Sequence, residues 1–242
     1  PMMMPKFQNI YGNREGELGS WGSLMDTPSN FDPSDFFNTG MTEMNGFTLT
    51  TGTEQNQTYA SVSTTNSTGI LPNNAYNRYN FSIRNTAKFC DNKLSLDLGA
   101  QYIIQNNKNM VGSGQYFNPL VSLYLFPRGE NFQEVQMYER YSEARNLMVQ
   151  YWPESIFGTD LDMQNPYWIM NRMQNELSKR RYMFNASLKW DITDWVNVTG
   201  RVRVDNSDSD SYEKYYASTR GTFTESSSKG YYGHTKQNDR SV

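Results

Sequence analysis

The feature that most constrains this chain is a period-two alternation of apolar and polar residues sustained over runs of about a dozen positions. In Leu94, Leu96, Leu98, Ala100, Tyr102 and Ile104, every second residue is apolar. The residues between them are Ser95, Asp97, Gly99, Gln101, Ile103 and Gln105. Successive side chains of a strand point to opposite faces, so such a run makes a strand with one greasy and one wet face. The run before it behaves alike: Tyr79, Phe81, Ile83, Ala87 and Phe89 oppose Asn80, Ser82, Arg84, Thr86 and Lys88, interrupted only by Asn85. Asp91-Asn92-Lys93 joins the two as a hairpin turn.

A second hairpin follows the same plan. Tyr182, Phe184, Ala186, Leu188, Trp190 and Ile192 alternate with Arg181, Asn185, Ser187, Lys189 and Asp191. The chain turns at Thr193-Asp194, after which Val196, Val198, Gly200, Val202 and Val204 alternate with Asn197, Thr199, Arg201, Arg203 and Asp205. A weaker hairpin joins 44–52 to 57–65 through Gly52-Thr53-Glu54-Gln55-Asn56. About six strands result. Their turns at 52–56, 91–93 and 193–194 share one rim, while 66–77, a very long loop at 106–178 and the residues after Asp205 fall on the other.

Strands of this length decide between two solvents for the apolar face. A twelve-residue strand at ~3.3 Å per residue and a ~40° tilt spans roughly 30 Å, enough for the apolar band of an outer-membrane barrel, whereas strands of soluble sheets are commonest at about five or six residues. Short turns on one rim and long loops on the other point the same way, as do Tyr79, Phe89, Tyr182, Trp190 and Trp195 near the strand ends. The expected fold is therefore all-β: a partial antiparallel transmembrane β-barrel of long hairpins. A soluble β-sandwich that binds carbohydrate is the alternative, since it too hides one face and wets the other.

Composition narrows the function classes. Aromatics make up 14% of a chain whose mean hydropathy is -0.78, which argues against a disordered chain, because disordered chains are poor in aromatics. A net charge of -3 gives no basic footprint for nucleic acid. Cys90 and His234 are the single cysteine and single histidine, so neither a disulfide nor a Cys/His zinc site is expected, and Cys90 is expected to be a small buried or outward-facing apolar side chain. No catalytic residue, metal or cofactor is expected: there is no nucleophile–base pair and no phosphate-binding glycine loop, and Glu130 with Glu134 is an unspecific carboxylate pair. Asp205, Asp208 and Asp210 in DNSDSDS lack the glycine and distal glutamate of a calcium loop and are expected in a solvated acidic loop. No apolar run reaches ~18 residues, so any membrane crossing must use strands.

Several stretches carry a family likeness: Ser20-Trp21-Gly22, DPSDFFNTG at 32–40, Gly69-Ile70-Leu71-Pro72-Asn73-Asn74, Arg78-Tyr79-Asn80-Phe81, GQYFNPLVSLYLFPRGENF at 114–132, Asn165-Pro166-Tyr167-Trp168 and TGRVRVDN at 199–206. In order and spacing they resemble the barrel of SusC/RagA-type TonB-dependent outer-membrane transporters. The resemblance implies a barrel of about 22 strands with a plugged lumen, uptake driven through TonB, a SusD-type surface lipoprotein as lid, and a glycan or peptide as cargo. Residues 1–43 are then a lead-in and 44–242 a part of the barrel. The TonB box and plug motifs of that family do not occur, the first residues lack a signal-peptide pattern, and about six strands are too few to close, so a fragment is expected.

Within the loop at 106–178, aromatic rings and guanidiniums concentrate: Tyr116, Phe117, Tyr124, Phe126, Arg128, Trp152, Tyr167, Trp168 and Arg172. Such groups stack on sugars and grip carboxylates or peptide backbone. Arg128, Trp152, Tyr167 and Trp168 are the candidates for contact with substrate or lid. The competing reading packs the same side chains against the loop itself. The inward Arg84, Lys88, Arg181, Lys189, Arg201 and Arg203 share their wall with Asp97, Asp191 and Asp205, a mixed-charge surface and not an anion path.

Overall fold

The computed structural model describes residues 24–28, 32–114, 116–126, 131–152, 163–226 and 229–242. Its main body is a seven-stranded antiparallel sheet. The strands are β1 (Met41–Gly52), β2 (Asn56–Thr68), β3 (Ala75–Phe89), β4 (Leu94–Lys108), β7 (Met173–Thr193), β8 (Val196–Tyr215) and β9 (Tyr231–Ser241). They pair in that order. A two-stranded sheet, β5 (Glu139–Ser142) with β6 (Leu147–Gln150), lies apart from it. Of the described residues, 58% are strand and 13% helix, and their helical elements all lie off the sheet. The sheet does not close on itself: β1 and β9 are its edges.

The register aligns the apolar positions into cross-strand rows. Leu49, Ala60, Ile83, Ala100, Phe184 and Val204 form one row. Phe47, Val62, Phe81, Tyr102 and Tyr182 stand above it, and Leu98, Ala186 and Val202, then Ala87, Leu96 and Leu188, then Phe89, Leu94, Trp190 and Val198, stand below. Asn85, the break in the alternation, falls inside this band. Its amide donates to Asn56 Oδ1 at 2.7 Å and to Thr58 Oγ1 at 2.9 Å, which removes most of the penalty of an unpaired polar group there.

Three short turns occupy one rim. The β3–β4 turn passes through Cys90, Asp91 and Asn92 with φ of 54°, 52° and 68°, and is closed by Lys93 N–H on Cys90 O at 3.0 Å. Cys90 is thus an exposed turn residue and not a buried or outward-facing strand residue, contrary to the sequence expectation. At the first turn, Thr53 Oγ1 accepts from Asn56 N–H at 3.2 Å, and at the last Thr193 Oγ1 accepts from Val196 N–H at 3.1 Å.

At the other rim the strands run further than alternation shows. β7 begins at Met173 and β8 ends at Tyr215. DNSDSDS is therefore strand and not loop: Asp205 pairs with Met183, and Asp210 with Ser178. Tyr182 lies well inside β7 and not near its end, although it still marks the margin of the apolar rows. β9, absent from the sequence reading, pairs with β8 from Tyr215 down to Asp205, leaving the Val196–Val204 stretch of β8 without a neighbour on that side among the described residues.

The described residues of the long connection at 109–172 fold instead of looping. It contains α1 (Pro119–Leu125), α2 (Phe132–Gln136), the β5–β6 hairpin and α3 (Pro166–Arg172). Each helix starts at an asparagine whose side chain accepts the backbone N–H two residues on, from Asn118, Asn131 and Asn165 in turn. Proline follows at the first position of α1 and α3. The apolar residues of these pieces gather with the 3-10 turn Pro33–Phe36 and with Leu71. Phe36, Leu71, Leu123, Phe126, Phe132, Val135, Trp152 and Met170 form one buried cluster. Trp168, Ile169, Met173 and Tyr215 form a second, lined by Phe117, Tyr138 and Phe223. The turn at Pro33–Phe36 and the described residues of the β2–β3, β4–β7 and β8–β9 connections thus make one cap over the long-loop rim.

Candidate functional site

Carboxamides join the cap to the sheet and the pieces of the cap to one another. Asn109, with φ of 49° and 4% exposed, turns the chain out of β4. Its Nδ2 donates to Asn73 O at 3.0 Å and Met170 O at 2.9 Å, and its Oδ1 accepts from Asn175 N–H at 3.0 Å. Asn73 Nδ2 also reaches Met170 O at 3.1 Å, and Asn74 Nδ2 reaches Asn109 O at 2.7 Å. Asn165 is fully buried. Its Nδ2 donates to Val135 O at 2.8 Å and Tyr151 O at 2.9 Å while its Oδ1 caps α3. Gln164 Oε1 takes Arg220 N–H at 3.1 Å, and Gln150 Nε2 donates to Ser218 O at 3.2 Å. Buried loop backbone must find partners, and these side chains supply them.

Of the four candidate contact residues, Arg128 lies outside the described residues, as does the Ser20-Trp21-Gly22 stretch. Trp168 is 1% exposed, with Nε1 donating to Thr219 Oγ1 at 3.1 Å. Trp152 is 8% exposed and packs on Phe126 at 5.9 Å between ring centroids. Tyr167 is half-buried, edge-on to Phe36 at 4.8 Å, and burial pushes its phenol above the ordinary value against a hydrogen bond with Gln136. Trp152 and Tyr167 meet in the first cluster, and Trp168 belongs to the adjoining one.

The rings and charges that the cap presents to solvent are different ones. Arg172, at the end of α3, donates from Nε and Nη2 to the two oxygens of Glu139 at 2.7 and 2.8 Å. Its guanidinium stands over Tyr216 at 4.9 Å and Tyr138 at 5.8 Å, and the Glu139 hydrogen bonds hold its pKa above the ordinary arginine value. Beside it, the Arg140 guanidinium lies 3.3 Å from the centroid of Tyr151, whose hydroxyl donates to Glu134 at 3.1 Å. Tyr141 is 59% exposed at the hairpin. The result is a surface of half-open aromatic faces framed by paired charges, which suits a polar, hydroxyl-rich or peptide ligand. The sequence reading missed Tyr138, Glu139, Arg140, Tyr151 and Tyr216. Glu139 and Arg140 carry only the alternation of a four-residue strand, too short to separate from chance, Tyr138 and Tyr151 flank the short hairpin, and Tyr216 falls just past the end of β8.

The polar face of the sheet is a mixed-charge wall, as expected from the sequence. Arg84 is paired bidentately with Asp97, Arg181 Nε donates to Asp205 Oδ1 at 2.8 Å, Arg203 reaches the same carboxylate at 3.5 Å, and Lys189 meets Asp191 at 2.8 Å. Tyr59, Arg84, Gln101, Asn185 and Arg203 line a broad depression along it. Elsewhere, Glu134 is engaged by Tyr151, its sequence companion Glu130 lies outside the described residues, and His234 stacks on Tyr212 at 4.3 Å beside Asp210. No group of three His, Cys, Asp or Glu side chains among the described residues is placed to hold a metal ion.

The two faces differ most in charge. Over the five apolar rows, from Phe89 up to Phe81, the one charged residue at an outward paired position is Arg240 of β9, at the end of the uppermost row. Over the same span the opposite face carries Arg84, Lys88, Asp97, Lys189, Arg201, Arg203 and Asp205. The outward apolar side chains are also uncovered: Phe47 is 68% exposed, Ile83 53% and Val202 57%. No protein-family model matches this sequence, and no curated protein matches it.

Proposed function

We propose that this chain forms part of the wall and extracellular cap of an outer-membrane β-barrel importer of the SusC/RagA type, and that it works by shaping a passage and not by covalent chemistry. The observation that carries this reading is the segregation of charge between the faces of the sheet, with, on one side, an uncovered face whose apolar rows hold a single charge, Arg240 at their upper edge, and paired charges on the other. Soluble monomers rarely expose contiguous apolar patches beyond a few hundred Å². From Phe89 to Phe81 the apolar rows cover eight residue steps, ~26 Å along the strand at ~3.3 Å per residue and ~20 Å along the normal at a ~40° tilt; the next row, which Tyr79 shares with Arg180 and Asp208, brings the height to the ~25 Å of an outer-membrane apolar band.

The rest of the molecule agrees with that orientation. Short turns face the periplasm, and the cap stands outside on the long-loop rim. Phe89, Trp190 and Trp195 ring the lower margin of the band while Tyr79, Tyr102 and Tyr182 ring the upper one, the positions that interfacial aromatics favour. The free side of β1 and the lower half of β8 leave backbone groups that hydrocarbon cannot satisfy, at several kcal/mol each, so further strands complete the wall. The mixed-charge face then lines the lumen against a plug, TonB supplies the energy, and a SusD-type lipoprotein seats on the cap. The aromatic and charged cap surface fits an oligosaccharide first and a peptide second.

Cells expressing the whole reading frame that contains this segment test the reading. After fractionation, external proteinase should cleave within 109–172 while the sheet stays protected in the outer-membrane fraction. A soluble product, cleaved throughout, would replace the importer with the carbohydrate-binding β-sandwich.

A further inference from the structure

We propose that Arg180 and Lys236, flanked by Asn238, form a site for the phosphorylated headgroup of an outer-leaflet lipid at the upper margin of the apolar band. The proposal rests on the membrane reading of the sheet and adds a specific lipid contact to it.

Above Arg240 of β9, which ends the Tyr182 row, charges of both signs gather on the outward face in the row directly above the band, where Arg180 of β7 lies opposite Asp208 of β8, followed by Asn238 of β9. One row higher, Asp210 lies opposite Lys236. Arg180 is exposed and makes no ion pair among the described residues. Its register neighbour does not occupy it: Asp208 accepts instead from Asn238 Nδ2 and, at 3.2 Å, from Asn206 Nδ2. Lys236 is 74% exposed and touches Asp210 only at 3.9 Å, where His234 already sits at 3.1 Å. Arg180, Asp208, Asp210, Lys236 and Asn238 line one depression.

Two residues below Arg180 on the same strand and face is Tyr182, paired with Tyr102. An arginine there lays its stem along the top of the apolar band and delivers its guanidinium to the headgroup layer, where a planar five-donor fork meets phosphate oxygens. The ammonium of Lys236 adds a second positive charge from the next strand. The neighbouring Asp208 and Asp210 would repel a bare anion. A headgroup that also carries hydroxyl or ammonium donors satisfies both signs, so the ligand class is a phosphorylated glycolipid or a phosphatidylethanolamine-like lipid, not inorganic phosphate.

The test uses the full-length protein extracted from its own outer membrane in mild detergent, with lipid phosphorus per mole of protein as the readout. Relative to the unmodified protein, retained phosphorus should fall about tenfold in the double variant R180Q/K236Q, given the attraction that each surface cation exerts on anionic headgroups. Retention should recover in R180K. A control variant on the opposite face, K88Q/R201Q, should retain the normal amount. Equal retention in R180Q/K236Q and the unmodified protein, or an equal loss in the control pair, would overturn the site. Surface proteolysis of the same samples separates the two claims: if the unmodified protein is missing from the outer membrane, the membrane reading itself falls.

Discussion

Trp168 and Trp190 flank the length of β7, and the first is 1% exposed while the second is 53% exposed. Trp168 is enclosed by Ile169, Met173 and Tyr215 and hydrogen-bonded through its indole; Trp190 stands on an apolar face that no other part of the described chain covers. The cap keeps its hydrophobic residues dry by folding upon itself, whereas the sheet leaves them uncovered by the described chain, facing an external apolar phase on the proposed reading. One chain thus contains two stability regimes. Packing and buried amide partners hold the cap, and backbone pairing holds the wall, joined on the proposed reading by the surrounding medium.

The sharpest way to break that contrast is to hollow the cap. Replacing Trp168 with alanine removes a fully enclosed ring and leaves Thr219 without its donor, at a cost of about 3–5 kcal/mol to the cap. Proteolysis within 109–172 should accelerate while the sheet remains protected; simultaneous loss of both would mean that cap and wall are one cooperative unit. The wall is tested next by charge. Phe184→Arg places a cation in the middle of the apolar band and should cost about 2–4 kcal/mol in a bilayer, seen as a reduced folded yield in outer membranes. Gln101→Arg, on the other face, should not. If the two variants behave alike, the faces do not meet different media.

Smaller effects separate packing from polar support. Asn165→Ala strands two buried carbonyls and uncaps α3, a loss of about 1–3 kcal/mol that hydrogen exchange of α3 should register; unaltered exchange would show that water replaces the amide. Least of all, Arg140→Gln removes the guanidinium from the Tyr151 face, worth about 0.5–1 kcal/mol. Its value lies in binding, since a polar cap ligand should lose affinity without any change in cap protection. Loss of protection would assign Arg140 to the cap's structure.

How much of this was legible in the sequence depended on whether a strand had to distinguish two solvents. Leu94–Ile104 and Tyr182–Trp190 did, and their faces, turns and pairing follow directly from alternation. Above the apolar band that contrast vanishes. Glu176, Ser178 and Arg180 on one side of β7 and Leu177, Lys179 and Arg181 on the other give almost no period, so the upper halves of β7 and β8 and the whole of β9 were invisible. The cap was hidden for another reason. Phe36, Leu71 and Trp152 come from three separate segments, and nothing local in any of them announces the other two. The asparagines before α1, α2 and α3 were the readable clue to short helices in a stretch expected to be loop. The same distance effect placed the contact candidates: the most conspicuous indoles of the loop are its core, and the rings open to solvent are tyrosines of a hairpin.

The amide joints described above, Asn73, Asn74, Asn109, Gln150, Gln164 and Asn165, have a consequence for the setting in which such a molecule works. Carboxamides neither gain nor lose protons across the habitable range of acidity, and they carry no net charge for salt to screen. A joint of carboxylates and ammonium groups would loosen whenever the outside medium turned acid or briny. These joints keep the same shape through such swings, and sensitivity to the weather of the surroundings falls instead on charged contacts of the cap such as Arg172 with Glu139.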